Sequence, residues 1–217
     1  NHVVNAVVFG SDQGLVGRFN EAIADHAIAA IAKLRETPQV WAVGERVRSR
    51  LIDAGMPPVG CFAVPTSVEG ITSLVAQILV DSQAHDVDSA LYLFYNRPAS
   101  AATYVSVSEQ LLPLNEDWRR ARADLRWPSK NLPEVIAGGA ATLGALIAEF
   151  LFVSLFRACA ESLASENASR LAAMERADKN IDELLESLRG SFYRLRQDGI
   201  DEELFEVIAG FEALVRP

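Results

Sequence analysis

Histidine, cysteine and basic charge are scarce in this chain, and each scarcity removes a class of chemistry. The three histidines, His2, His26 and His85, are scattered, with no second ligand at the spacing a metal site uses. The two cysteines, Cys61 and Cys159, lie far apart in unlike segments, so buried free thiols in a reducing compartment are expected rather than a disulfide. Twenty Lys and Arg are outnumbered by 29 Asp and Glu, giving a net charge of −9. Bulk attraction to nucleic acid or to an anionic membrane surface needs the opposite sign, so no nucleic-acid partner is expected. The local group Arg119, Arg120, Arg122 and Arg126 reads as a solvated loop. No run reaches the roughly 18 uninterrupted apolar residues of a membrane-spanning helix. The densest stretch, Leu146 to Phe156, is interrupted by Glu149 and reads as too short. No basic segment, apolar core and small-residue cleavage site mark a secretion signal. The chain starts on Asn rather than Met and enters a strand-like run almost at once, as a piece of a longer chain would.

What is present is ordinary globular material, 50% hydrophobic over 217 residues, enough for one generous domain or a domain with an appendage. VVNAVVFG, QVWAVG, GCFAVP and ALYLFYN are rich in Val, Phe and Tyr and read as buried strands. Between them, Phe19 to Leu34, Glu45 to Ala54 and Val68 to Ser82 carry apolar residues at helical spacing. Strand-helix alternation of this kind predicts an α/β fold, a mostly parallel sheet with flanking helices. The run Thr103 to Leu114 predicts a further strand, antiparallel to the last of these. His85, Asp86 and Asp88 read as a polar turn, and Asn115 to Pro133 as a linker.

No proline follows Pro133 until Pro217. Met174, Ile181, Leu188 and Leu195 recur at heptad spacing, and Leu171, Leu184, Leu185 and Phe192 fill the same face, which is a coiled-coil seam. Continuous from Leu163 to Leu214, such a helix would run roughly 75 Å and leave a stripe that wants a partner. Gly190 and Gly199 mark places for a bend, since each costs about 1 kcal/mol inside a helix. The expected division is an α/β domain over 1–114, a linker and helix entry over 115–142, and a long helix, half of a coiled coil, over 143–217.

The string GSDQGLVGRFN, Gly10 to Asn20, follows a strand and opens a helix. Free N–H groups at such a helix start can hold an anion. The spacing fits neither the dinucleotide fingerprint nor the P-loop, so a second reading has Asp12 capping the helix while Gly14 and Gly17 permit a tight turn. Gly10-Ser11-Asp12 does not make a nucleophile elbow. Glu202, Glu203 and Glu206 lie on a polar helix face and read as surface carboxylates. No catalytic residue, cofactor site or metal site emerges.

Four ordered blocks together resemble the gamma subunit of F-type ATP synthases. VVFGSDQGLVGRFN is similar to the family's S-S-D-x-G-L-C-G-x-x-N segment at Asp12, Gly14, Leu15, Gly17 and Asn20, departing at Gly10 and Val16. FYNRPASAATYVSVSEQLLPL is similar to the paired-strand segment, with Tyr95, Asn96 and Gln110 to Leu114 in register. LASENASRLAAMERADKN, Leu163 to Asn180, resembles L-A-S-E-x-A-x-R-M-x-A-M-x-x-A-x-x-N. RQDGIDEELFEVIAG agrees at Arg196, Gln197, Ile200, Glu203, Leu204, Glu206 and Gly210. Asp198, Gly199 and Asp201 stand where the family has small residues and a Thr. The GSDQGLVGRFN variant and the apolar Leu146 to Phe156 mark a divergent or alternative branch of the resembled family, for which sodium-ion pumping is one expectation. The family's long N-terminal helix is absent from this sequence.

The resemblance implies a central-stalk rotor without a catalytic site of its own. It would sit inside a ring of alternating alpha and beta subunits, meet the epsilon subunit and the membrane rotor ring, and work at the cytoplasmic face of a bacterial plasma membrane. It also implies Arg170, Met174, Arg196, Gln197, Glu203 and Glu206 as partner-contact positions. With its usual partner helix missing, the seam is expected either to pair with a second copy or to break near Gly190 or Gly199 and fold back. The alternative reading is an α/β nucleotide- or effector-binding domain with a helical dimerisation arm, its ligand held at Gly10 to Arg18.

Overall fold

The structure, a computed structural model, describes residues 4–34, 36–82, 90–99, 103–114, 120, 123–126, 129–131, 134–135 and 138–215, with side chains described to Phe211. The polar turn at His85, Asp86 and Asp88 and part of the arginine group (Arg119 and Arg122) lie outside these residues. The elements run in the order β1 (Val4–Phe9), α1 (Phe19–Ile31), β2 (Gln39–Val43), α2 (Glu45–Asp53), β3 (Gly60–Phe62), α3 (Val68–Asp81), β4 (Ala90–Pro98), β5 (Tyr104–Leu112) and α4 (Gly139–Val215). The three helices expected between the strands form where their apolar spacing puts them. Contacts divide the chain into two compact units, residues 1–172 and 173–217.

In the first unit the strands form one sheet in the order β3-β2-β1-β4-β5. The first four run parallel, and β5 returns antiparallel beside β4, as its sequence predicts. Side chains alternate across a strand, so β1 divides its residues between two cores. Val7 and Phe9 join Leu91, Leu93 and Tyr95 of β4 on one face, where Ile71, Val75 and Ile78 of α3 and Leu151 and Leu155 of α4 cover them. Ala6 and Val8 face the other way with Phe94, beneath Ile23 and Ala27 of α1 and Val47 and Leu51 of α2. Covering both faces is what makes the β1 and β4 sequences nearly continuous apolar runs.

The edge corrects one expectation. Cys159 is buried, but Cys61 is exposed, because β3 is the outermost strand and pairs only with β2. Burial pushes the Cys159 thiol up to about 12, with the Glu166 carboxylate adding to the effect.

Helix α4 begins at Gly139 rather than Leu143 and is helical without interruption through Gly190 and Gly199, so the expected break does not occur. Two glycines cost about 2 kcal/mol of propensity together, which a helix of this length absorbs. By length and composition α4 is also apolar enough to cross a membrane, with an 18-residue window of mean hydropathy 1.9 of which 17% is buried. The residues from Gly139 to Ala145 lengthen the apolar stretch ahead of Leu146, and Glu149 still interrupts it.

The second unit is the later part of α4. Its seam is exposed along its length: Met174, Ile181, Leu184, Leu185, Leu188, Phe192 and Leu195 all stand in solvent. Truncations on the two parts of α4 therefore differ in cost. Leu155→Ala, in the packed core, should lower the unfolding free energy of this chain by about 2–5 kcal/mol. Leu188→Ala should shift it by less than about 0.5 kcal/mol, as exposed positions do. Urea denaturation measures both, and a loss at Leu188 approaching that at Leu155 would mean that a second copy covers the seam in solution.

Candidate functional site at the carboxyl end of the sheet

With β2 on one side of β1 and β4 on the other, the strand order reverses at β1, and the crevice outside its carboxyl end is where open α/β sheets bind ligands. Here the chain's own groups occupy that crevice. The Ser11 N–H donates to Asn20 Oδ1 at 2.9 Å, Asn20 Nδ2 donates back to Ser11 Oγ at 2.8 Å, and Ser11 Oγ donates to the Gln13 carbonyl at 2.8 Å. From β4, Asn96 Nδ2 donates to the Phe19 carbonyl at 3.1 Å and Asn96 Oδ1 accepts from Ser106 Oγ at 2.8 Å. Asn20 and Asn96 are buried, and these bonds satisfy polar groups that water cannot reach.

Asp12 does not cap α1. Its Oδ1 accepts from the Glu45 N–H at 3.0 Å, satisfying a free donor in the first turn of α2, and its Oδ2 accepts from the Val64 N–H at 2.8 Å. One carboxylate thus fastens three segments: the loop after β1, the start of α2 and the loop after β3. Close approach makes this possible. A Cβ on Gly10 would lie 2.4 Å from Val47 Cβ, and one on Gly44, whose φ is +111°, would lie 2.7 Å from the Ser11 carbonyl oxygen. Gly10, where the sequence departs from the resembled pattern, therefore has a packing reason. Leu15, not Gly14, takes a left-handed conformation at φ 60° in the exposed turn.

Helix α4 crosses the same region. Its buried residues run Leu151, Ser154, Leu155, Ala158 and Cys159, mostly apolar, then Ser162, Ser165, Glu166 and Ser169. These positions recur at three- and four-residue steps, so they form one face that changes from apolar to polar along its length. Ser165 Oγ donates to the Asn96 carbonyl at 3.0 Å. Alongside, Arg97 Nε bonds Glu161 Oε2 at 3.0 Å and Arg157 bonds both oxygens of Glu109 at 2.9 Å, joining α4 to the β4–β5 hairpin. Tyr95 Oη accepts from Arg97 at 2.6 Å and donates to Glu109 at 3.1 Å, and burial raises its pKa.

Glu166 is the charged member of this face. Its Oε1 accepts from Arg170 at 2.6 Å, while its Oε2 is buried without a hydrogen-bond partner. Burial raises its pKa, opposed by Arg170 and supported by the Asp12 charge. Glu166 and Arg170 line a cavity of about 220 Å³ with Asp12, Gln13, Thr66 and Asn167. Among the described residues, no group of three His, Cys, Asp or Glu side chains is placed to hold a metal ion.

The structure separates the positions implied by resemblance. Arg170 is half-buried at the cavity, whereas Met174 is exposed and Arg196, Gln197, Glu203 and Glu206 are exposed on the second unit. Ser165 and Glu166 match the resembled block in the sequence, which gives them no role. Their signal was available: Ser162, Ser165, Glu166 and Ser169 continue the step of the apolar stripe that precedes them.

The sequence model of the ATP synthase family matches residues 1–214. The chain is similar to the ATP synthase gamma chain of Sorangium cellulosum, at 30% identity over 96% of this chain and 68% of that protein. The gamma chain of Clostridium botulinum (strain Kyoto) is 28% identical over 95% of this chain and 71% of that protein. Among solved structures, a chain of the Euglena gracilis mitochondrial ATP synthase (OSCP, F1 and c-ring, rotational state 3) has the same fold. It gives a TM-score of 0.65 at 16% identity, over 98% of this chain and 73% of that one. A chain from the central stalk and c-ring of the Tetrahymena thermophila mitochondrial enzyme gives 0.60 at 23% identity, over 81% and 76%.

Two outcomes follow from the site geometry. Asn20→Ala leaves the buried Ser11 N–H without its acceptor and should cost about 1–3 kcal/mol, measured by chemical denaturation. Glu166 binds its proton more tightly folded than unfolded, so its contribution to stability falls as pH rises from the ordinary carboxylate range through its raised folded value. Glu166→Gln should remove that part of the slope in a melting-temperature series between pH 4 and about 8. An unchanged slope would mean that Glu166 titrates normally.

Proposed function

This chain belongs to the gamma-chain family of ATP synthases, and from that premise we propose that it is the central-stalk rotor of an F-type enzyme. As rotor it couples ion translocation through the membrane sector to ATP synthesis or hydrolysis in the alpha and beta ring. The carrying observation is a family match that extends over residues 1–214, spanning the α/β unit and nearly all of α4. The physical requirement on a rotor is a stiff rod whose faces favour different conformations of the surrounding catalytic sites, which is coupling by differential contact. An uninterrupted helix with an exposed seam and an exposed polar face supports that role.

In this reading the chain carries no catalytic site, and its partners are the alpha and beta subunits, the epsilon subunit and the membrane rotor ring. It works peripherally, at the cytoplasmic face of a bacterial plasma membrane. Met174, Arg196, Gln197, Glu203 and Glu206 are the contact positions, Arg and Gln offering directional hydrogen bonds that break and re-form as the shaft turns. Arg170 contributes differently, since its guanidinium is engaged by Glu166 and Asn167 within the chain. The effector-binding alternative keeps one observation in its favour: although Ser11, Asn20 and Asp12 are tied by hydrogen bonds within the chain, Gly14 to Gly17 line a cavity of about 460 Å³ with Arg46 and Arg50.

Gln197→Ala should leave the melting temperature of the chain nearly unchanged, a surface substitution being worth less than about 0.5 kcal/mol. In a complex reconstituted with the alpha, beta, epsilon and membrane subunits, the same variant should lower ATP-driven ion pumping severalfold. Normal pumping by Gln197→Ala and by Glu203→Ala would remove these residues from the contact set. Turnover of ATP by the isolated chain that copurifies with it and is lost in Arg18→Ala would overturn the rotor reading itself.

A further inference from the structure

The sheet has two edges, β3 and β5, and they are finished differently. β3 has only three residues, and a short edge is one way a sheet avoids pairing with other chains. β5 has nine, roughly 30 Å at about 3.4 Å per residue, and β4 pairs with it on one side only. In an antiparallel pair, alternate residues turn their N–H and C=O groups away from the neighbouring strand. Among the described residues, none of these outward groups on β5 has a hydrogen-bond partner beyond β4. The devices that blunt an edge are missing as well. No proline interrupts Tyr104–Leu112, and its single charge, Glu109, is turned back onto α4 by Arg157. The one register shift lies at Leu91 and Tyr92, at an end of the pairing. Val105 on one face and Ser108 and Gln110 on the other stand in solvent.

We propose that β5 is a strand-addition edge, which accepts one extended segment of another polypeptide, antiparallel, as a sixth strand of the sheet. This interface goes beyond the rotor reading and rests on the edge alone. Backbone chemistry selects the class of ligand, because an extended chain presents the alternating N–H and C=O groups that match the open row. Side chains set the pattern. Val107 and Leu111 join the core beneath α4, and Val105 shares their face. Tyr104, Ser106 and Ser108 face the α1 side, where they meet Phe19, Asn96 and His26. The incoming strand therefore sets β-branched apolar residues opposite the valines and hydroxyl residues opposite the serines. Opposite Glu109 it sets a lysine or arginine, since an acid there would meet like charge, and the net charge of −9 favours the same sign. A second copy is a poorer match. A two-fold axis through Val107, Ser108 or Glu109 places Glu109 opposite Val105, Val107 or its own counterpart.

The test uses the full chain and the end-capped peptide VTKTVTV, which answers Leu111 to Val105 in antiparallel register. Amide hydrogen exchange is followed residue by residue, first in the chain alone. The expected result is fast exchange at alternate amides between Val105 and Leu111, slowed saturably by the peptide. N-methylation of the peptide along the edge facing β5 keeps its side chains, removes its donors and should abolish the slowing. Val105→Lys, a change at a position 57% exposed, should weaken binding at least tenfold while the remaining amides exchange as before. Glu109→Lys should reverse the preference for VTKTVTV over VTETVTV. Slow exchange along the edge in the dilute chain would mean that the chain's own residues cover it. Slowing that grows with chain concentration would mean that a second copy does. Either result overturns the proposal, as would the lack of saturable slowing, equal binding of the N-methylated peptide, or undiminished binding by Val105→Lys. None of these measurements involves the other subunits, so failure here is distinct from failure of the rotor reading.

Discussion

The stripe of α4 from Leu151 to Ser169 changes chemistry part-way, and the organisation of the whole carboxyl end of the sheet follows from that change. Where α4 lies on β1 and β4, Leu151, Leu155 and Ala158 exclude water and supply the non-directional part of the contact. Beyond Cys159 the same face meets strand ends and loops, whose backbone groups need partners. Ser165 answers that need at the Asn96 carbonyl, while Ser162 Oγ and Glu166 Oε2 on the same face are buried without a partner. Apolar burial sets how closely the helix lies, and hydrogen bonds such as Ser165 to the Asn96 carbonyl fix where along its length it stops. A purely apolar stripe would permit sliding by a turn; a polar one penalises it with unsatisfied donors.

Electrostatics at this end work against stability as well as for it. The Glu166–Arg170 pair is one helical turn apart and short, yet burial of the carboxylate leaves its proton affinity raised. Desolvation therefore exceeds what the single guanidinium returns, the usual balance for a buried ion pair with incomplete hydrogen bonding. Asp12 stands in contrast. Its carboxylate meets two backbone N–H groups belonging to separate segments, so its charge is spent on holding loops together. Two acidic residues facing one cavity thus have opposite relations to the fold, one fastening it and one under strain from it.

The parallel sheet was legible because strands covered on both faces must be apolar throughout, and VVNAVVFG and ALYLFYN say so without reference to neighbours. The antiparallel β5 was legible from its alternation. What escaped were properties that depend on which segments meet. Asp12 was assigned to the helix next in sequence, but the N–H groups within its reach belong to α2 and the loop after β3. Cys61 looked buried inside an apolar string, and only the strand order reveals that this string forms an edge. Glycine composition suggested a break in α4 at Gly190 and Gly199, where no neighbouring side chain would meet an added Cβ and nothing enforces a kink. The family was legible from short matched blocks, which carry identity but not the reason for it. Glu166 sits in the strongest of those blocks, and its role as a buried, half-paired acid comes from packing.

The position of the two thiols has a practical side. One is interior and held protonated far above neutral pH, so alkylating reagents will pass it by. The other stands on the outer strand of the sheet, its own reactivity damped by partial burial and the nearby Glu45 carboxylate. A maleimide dye applied at mildly alkaline pH would therefore attach at Cys61 alone, without engineering. It would give a fluorescent marker at one defined point on the rigid sheet, from which the turning of the domain can be watched one molecule at a time.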